Sequence, residues 1–196
     1  MIWLKISGSG KSTLIKLINK QMQPQTGSIY IGRHSYADIK ANDLYHNMAV
    51  IGQEVFLFDD TVENNITLYG SYDPEKIAGL LAKVQLTETV AKAGAGLQEK
   101  SERFSGGEKQ RISIARALLR ENKIILCDEI FSALDRSTTD KINQLLLGLD
   151  GVTVINITHD ISRNVLAGYD QIILLEAGKV VYQGRYQAEV ILEKML

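Results

Sequence analysis

Apolar residues recur along this chain in two alternating rhythms: short unbroken runs, and longer stretches in which they return every third or fourth position. The runs Ile2-Trp3-Leu4, Met48-Ala49-Val50-Ile51, Ile124 to Cys127, Val152 to Ile157 and Ile172 to Leu175 predict buried strands. Ser12 to Lys20 predicts a helix with Leu14, Leu17 and Ile18 on one face. Pro24-Gln25-Thr26-Gly27 is turn chemistry, and Ser28 to Gly32 after it reads as a further strand. Pro74 opens a helix expected from about Glu75 to Val84, and Gly94 and Gly96 break the helical pattern beyond it. Ile112, Ala115, Leu118 and Leu119 share another helical face, Glu176 to Lys179 reads as a hairpin turn, and a last helix is expected from about Gln187. Strands thus stand near both ends of the chain, with a helical stretch at about 66–117 between them. The pattern predicts one α/β domain over 1–196, a mostly parallel sheet flanked by helices with an inserted helical subdomain.

Composition narrows the partners. Twenty-two basic residues balance 23 acidic ones, for a net charge of −1, and the basic ones form no stripe, which argues against nucleic acid. The lone Cys127 excludes an internal disulfide; it sits in an apolar run, as a small buried thiol would, and fits a reducing cytoplasm. No apolar stretch approaches the ~18 residues of a membrane span, so a membrane role is expected to run through a partner.

Three segments carry chemistry. Gly8-Ser9-Gly10-Lys11-Ser12-Thr13 follows a strand and opens a helix, the setting of a phosphate-binding loop (P-loop), although Lys5 stands where that pattern begins with glycine. Backbone N–H groups at Gly8, Ser9 and Gly10 wrap the phosphates, Lys11 reaches the β- and γ-phosphates, and the Ser12 hydroxyl serves Mg²⁺. Lysine at a position that needs φ > 0 is strained, or sends the chain along another path. Second, Asp128-Glu129 ends an apolar strand with two adjacent acids, which repel unless a cation stands near. Asp128 is expected to hold Mg²⁺, directly or through water, and Glu129 to act as general base on the attacking water; a strand end turning into solvent is the plainer alternative. Third, Ser105-Gly106-Gly107-Glu108 forms a capping box, yet two glycines in a first helical turn cost ~1 kcal/mol each relative to alanine. Close approach of an anionic ligand to that helix start accounts for both.

Together these segments resemble the ATPase domains of ATP-binding-cassette (ABC) proteins, over essentially the whole chain. The resemblance implies a P-loop NTPase fold, with Ser105 to Glu108 as the signature motif, here preceded by Phe104 and ending in glutamate rather than glutamine. It implies that Gln53 is the Q-loop residue, sensing Mg²⁺ and facing a membrane partner, that Ser132-Ala133-Leu134-Asp135 is the D-loop, and that His159 contacts the γ-phosphate. His34 and His46 match nothing in the family. Phe56-Leu57-Phe58 and the segment to Ile66 resemble the exporter branch, and Glu99 resembles an exporter cross-link-loop acid, although Gln98 and Ser101 stand where glycine is usual. A head-to-tail dimer is a further implication of the likeness, with ATP and Mg²⁺ held between the phosphate loop of one copy and Ser105 to Glu108 of the other. So too are a transmembrane permease domain as partner, in the same gene or a separate chain, and a place on the cytoplasmic face of the membrane.

The family normally has one or two strands before its phosphate loop, including an aromatic that stacks on adenine, where this chain has about four residues. Trp3 lies inside the first strand and is expected in the core. Two rival expectations therefore stand beside the transporter: a truncated or degenerate nucleotide-binding fragment without turnover, and a soluble ABC ATPase not engaged in transport.

Overall fold

The structure, a computed structural model, describes residues 2–5, 10–160 and 162–195, and of residues 2–5, 11, 12 and 192–195 the backbone alone. Six strands form the main sheet: β1 (Ile2–Lys5), β4 (Met48–Ile51), β5 (Ile124–Asp128), β6 (Thr153–Thr158), β7 (Ile172–Glu176) and β8 (Lys179–Gly184). Their spatial order is β4-β5-β6-β1-β7-β8. β1 runs parallel to both its neighbours, and β5 runs parallel to β6. Only unbroken apolar runs suit such interior strands, whose two faces are both covered; Leu126, Cys127, Ile157 and Leu174 are fully buried.

The strand expected over Ser28 to Gly32 differs. Only β2 (Tyr30–Ile31) forms, and it pairs antiparallel with β3 (His34–Ser35) in a separate two-stranded sheet. Gly32, at φ 59, turns the chain back on itself before a longer strand can develop. The other hairpin matches its expectation: β7 and β8 are antiparallel, and Ala177 and Gly178 between them both have positive φ, as a two-residue turn of the right twist requires.

By its contacts the chain divides into two compact units. The first comprises Met1–Val50, Asn122–Asp128 and Val152–Leu196 and holds most of the main sheet. Its helices are α1 (Lys11–Ile18), α2 (Ala41–Asn47), α8 (Arg163–Leu166) and α9 (Ala188–Met195). Ile15 of α1 packs with Leu126 and Ile157, joined by Ile18 and Ile155; each such side chain contributes ~1.5–3 kcal/mol on burial. Leu44 of α2 closes a neighbouring cluster with Tyr36 and Met48.

The second unit, Ile51–Glu121 with Glu129–Gly151, is helical. It contains α3 (Val62–Thr67), α4 (Pro74–Lys83), α5 (Thr87–Lys92), α6 (Gly106–Leu119) and α7 (Arg136–Leu147), with short 3-10 turns at Gly96–Gln98 and Ser101–Arg103. Asp73 caps α4 and Pro74 occupies its first turn, where a missing N–H costs nothing.

Candidate functional site

Three strands of the first unit bring their carboxyl ends to one edge of the sheet. Cross-strand register sets Asp128 beside Ile157, one residue before the end of β6, and sets Leu4 beside Thr158. Ligands of open parallel sheets bind at this edge. β1 ends there at Lys5, and the chain re-enters a helix at Lys11, with Gly10 as N-cap at φ 91. That angle favours glycine, and a Cβ built on Gly10 would meet nothing within 4 Å, so it is the backbone turn that calls for glycine. Among the described residues no side chain caps α1 and no acid lies in its first turn, and a helix start of this kind suits an anion.

Lys5 itself is an extended strand residue, in register with Leu175. The strain expected of a lysine at positive φ does not arise at that residue. Gly8 and Ser9 lie outside the described residues, as do the side chains of Trp3, Lys11 and Ser12; Thr13 is exposed in the first turn of α1.

His159 follows β6 directly and is exposed. The Asp160 N–H donates to Thr158 Oγ1 at 3.0 Å and the Ser162 N–H to Asp160 Oδ1 at 2.7 Å, which fixes the turn leaving the strand. Cys127, one residue before Asp128, is buried, and burial, with the Asp128 charge, pushes its thiol up to about 12. It is an inert core thiol, as the sequence led one to expect.

The remaining candidates belong to the second unit. Gln53 is exposed just beyond β4. Glu129 is half-buried and has φ 51, a left-handed conformation that non-glycine residues seldom take. Its carbonyl accepts from the Ser132 N–H at 3.2 Å and from Ser132 Oγ at 2.9 Å. Lys20, Leu68, Tyr69, Gln85, Glu121 and Ala177 share a positive φ, so the angle describes the turn and does not by itself assign it a task.

α6 begins with the expected capping box: Ser105 N–H donates to Glu108 Oε2 at 2.7 Å, and Glu108 N–H donates to Ser105 Oγ at 3.3 Å. The two glycines then part company. A Cβ on Gly106 would meet nothing within 4 Å, so none of the described residues excludes a side chain there. At Gly107 the same atom would stand 2.7 Å from the Ala133 carbonyl oxygen. The expectation that ligand approach explains both glycines is therefore corrected: Gly107 is required by close packing on the Ser132-to-Asp135 turn, and only Gly106 is left for a ligand to explain. The N–H groups of both, as the first two of α6, have no acceptor inside the helix.

Asp135 caps α7, accepting from Thr138 N–H at 3.0 Å and Thr138 Oγ1 at 2.7 Å, and the Thr138 hydroxyl draws its carboxyl below the ordinary value. Glu99 is buried and ion-paired with the exposed Arg103 at 3.1 Å, and its backbone carbonyl accepts from the Val62 N–H at 2.9 Å. Sequence reasoning missed Asn65 and Arg116, which hydrogen-bond to one another and to segment 56–58; the available signal was a basic residue, Arg116, one turn from the buried Ile112 of α6.

Oxygen donors suit Mg²⁺, and the donors expected from this chain are of that kind: a serine hydroxyl at position 12, the Gln53 amide oxygen and the Asp128 carboxylate. Among the described residues no helix is long and apolar enough to cross a membrane.

Comparison with known proteins supplies the family and the fold. A profile of the ABC transporter family matches residues 6–132. The chain is 38% identical to the uncharacterized ABC transporter ATP-binding protein YfiB of Bacillus subtilis, over 98% of this chain and 34% of that protein. It is 35% identical to the ATP-dependent lipid A-core flippase of Bordetella avium, over 92% of this chain and 31% of the flippase. A structure of a bacterial Atm1-family ABC exporter with ATP bound superposes with a TM-score of 0.89 at 27% identity, covering 98% of this chain and 34% of that one. The chain thus spans about a third of the length of these relatives. With its P-loop NTPase fold and its sequence motifs, it belongs to the ABC transporter family.

Proposed function

We propose that this chain binds ATP with Mg²⁺ and hydrolyses it to drive a membrane transporter of the exporter type. The observation that carries the reading is the register that sets Asp128 beside Ile157 and Leu4 beside Thr158 at one sheet edge, where β1 ends ahead of α1. In this reading Gly8 to Thr13 hold the phosphates, Lys11 neutralises their charge, and Ser12, Gln53 and Asp128 hold the metal. Mg²⁺, when bound, supplies charge neutralisation on the phosphate oxygens. Glu129 accepts a proton from the attacking water, work that contributes ~10²- to 10⁴-fold in rate. His159 positions the γ-phosphate end of the site.

Gly106 supports the second half of the reading, a head-to-tail pair of chains. Its backbone is exposed, a Cβ there meets nothing, and it belongs to the unit that does not contain the phosphate loop. The start of α6, with Ser105 and Glu108 tied into its cap, is then an anion site that receives the γ-phosphate of nucleotide held by a second copy. For the membrane side, Phe56 is 68% exposed and stacks edge-on with Phe58, their ring centroids 5.2 Å apart. Exposed aromatics grouped in this way support docking onto transmembrane helices of a permease domain, and in this reading the chain works at the cytoplasmic membrane face.

Glu129→Gln tests the reading in the purified chain. Mg²⁺-dependent ATP binding should persist while hydrolysis falls ~10²- to 10⁴-fold, and Lys11→Ala should lose binding. Unchanged hydrolysis in Glu129→Gln would remove that residue as the base. Binding without any turnover in the parent chain would favour a degenerate nucleotide-binding unit.

A further inference from the structure

The segment 56–61, which carries the exposed aromatic pair, is held by side chains at nearly every step. Phe58 N–H donates to Asn65 Oδ1 at 2.8 Å, and Asn65 Nδ2 donates to the carbonyls of Phe58 at 3.0 Å and Thr61 at 3.0 Å. Asn65 is fully buried in α3. Arg116, near the end of α6, donates from Nε to the Asn65 carbonyl at 2.7 Å, from Nη2 to Asn65 Oδ1 at 3.0 Å and from Nη1 to the Phe56 carbonyl at 3.0 Å. Its guanidinium lies over the Phe58 ring, 5.8 Å from the centroid. From the other side Ser101 Oγ donates to the Phe58 carbonyl at 2.9 Å and Ser101 N–H to the Asp60 carbonyl at 3.0 Å.

The chemistry of this knot is specific to arginine. Three donors in one plane serve two backbone carbonyls and an amide oxygen at once, which a lysine ammonium cannot do from a single point. Half-burying a guanidinium costs free energy unless its N–H groups are satisfied, so the three bonds support one another. Both anchors are tied to α6: Ser101 lies shortly before its cap at Ser105, and Arg116 lies near the far end of the helix that Gly106 opens.

We propose that Arg116, acting through Asn65, is a positioning residue that makes segment 56–61 and the start of α6 one rigid body, so that a displacement at Phe56 is carried to Gly106. This rests on the proposed function for what meets each end, nucleotide at Gly106 and a membrane partner at Phe56. A guanidinium that merely filled the core would stabilise the whole unit evenly, whereas the latch acts on one segment.

Hydrogen exchange on the purified chain separates the two roles. Without nucleotide, Arg116→Lys should speed exchange of the Phe58 amide by about tenfold while amides of the 109–115 stretch of α6 keep their parent rates. In the Glu129→Gln background, ATP should slow exchange at the start of α6 in both forms but should alter segment 56–61 only where Arg116 is intact. Equal acceleration in segment 56–61 and α6, or none in segment 56–61, would overturn the latch. If ATP changes nothing at the start of α6 in the parent chain, the proposed nucleotide contact fails, while the nucleotide-free comparison still decides the latch. Arg116→Met, which keeps the side-chain stem, replaces Arg116→Lys if the latter does not fold.

Discussion

Among single residues, identical amino acids in this chain answer to different causes. Gly106 and Gly107 are neighbours in the same helical turn, yet one has open space where a Cβ would stand and the other has the Ala133 carbonyl oxygen at 2.7 Å. Gly107→Ala should therefore cost ~1–3 kcal/mol of stability through overpacking, read as a lowered Tm, while Gly106→Ala should stay within ~0.5 kcal/mol and lose ATP-dependent behaviour instead. Equal losses of Tm in the two variants would contradict this division. The chain sequence revealed both glycines as anomalies but could not separate them, because the Ala133 carbonyl that constrains Gly107 lies far along the chain. Glu129 shows the converse. Its residue type and its place after an apolar strand were legible, whereas its φ of 51 follows from the turn held by Ser132 and leaves no mark in composition.

Among the helices and strands, caps and turns decide where helices begin. Asp60 gathers three donors at the start of α3: the Tyr69 hydroxyl at 2.7 Å, Asn64 Nδ2 at 3.0 Å and the Thr61 N–H at 2.6 Å. The Tyr69 hydroxyl first, then the Asn64 amide and the Thr61 N–H, hold its carboxyl down at about 2, below the ordinary 3.8. A depressed carboxyl contributes stability that is complete above the unfolded value and is lost as pH falls through the folded one. Tm should thus decline between about pH 4 and pH 2 more steeply in the parent chain than in Asp60→Asn; identical profiles over that window would rule out the Asp60 cluster as a contributor. Sequence periodicity found α4 and α6 because their buried positions are mostly apolar, as Ile77, Leu80 and Leu81 are in α4. It did not find α7, whose buried face is Thr138, Thr139, Ile142, Asn143 and Leu146. The spacing there is helical, but polar residues fill three of those five positions, so hydrophobicity alone is silent. α3 escaped for a related reason, since its central buried residue is Asn65, chosen for hydrogen bonds to a neighbouring loop.

Across the whole molecule, the chain assigns its chemistry to two units. The first carries the start of α1, Asp128 and His159; the second carries Gln53, Glu129 and the start of α6. The division falls between Asp128 and Glu129, two adjacent acids with different proposed tasks, metal binding and proton transfer. The alternation of strand and helix made the parallel sheet legible, because interior strands must be apolar on both faces. Pairing was less legible: nothing local says that β1 lies between β6 and β7, since each partner stands well over a hundred residues away. The proposed function stands or falls on ATP being held between two copies, bound by the phosphate loop of one and covered by the start of α6 of the other. The mass in solution of the Glu129→Gln chain, by sedimentation with and without saturating Mg²⁺-ATP, decides this. A mass of 21.8 kDa is expected without nucleotide and twice that with it. A chain that binds ATP and remains at 21.8 kDa would contradict the shared site.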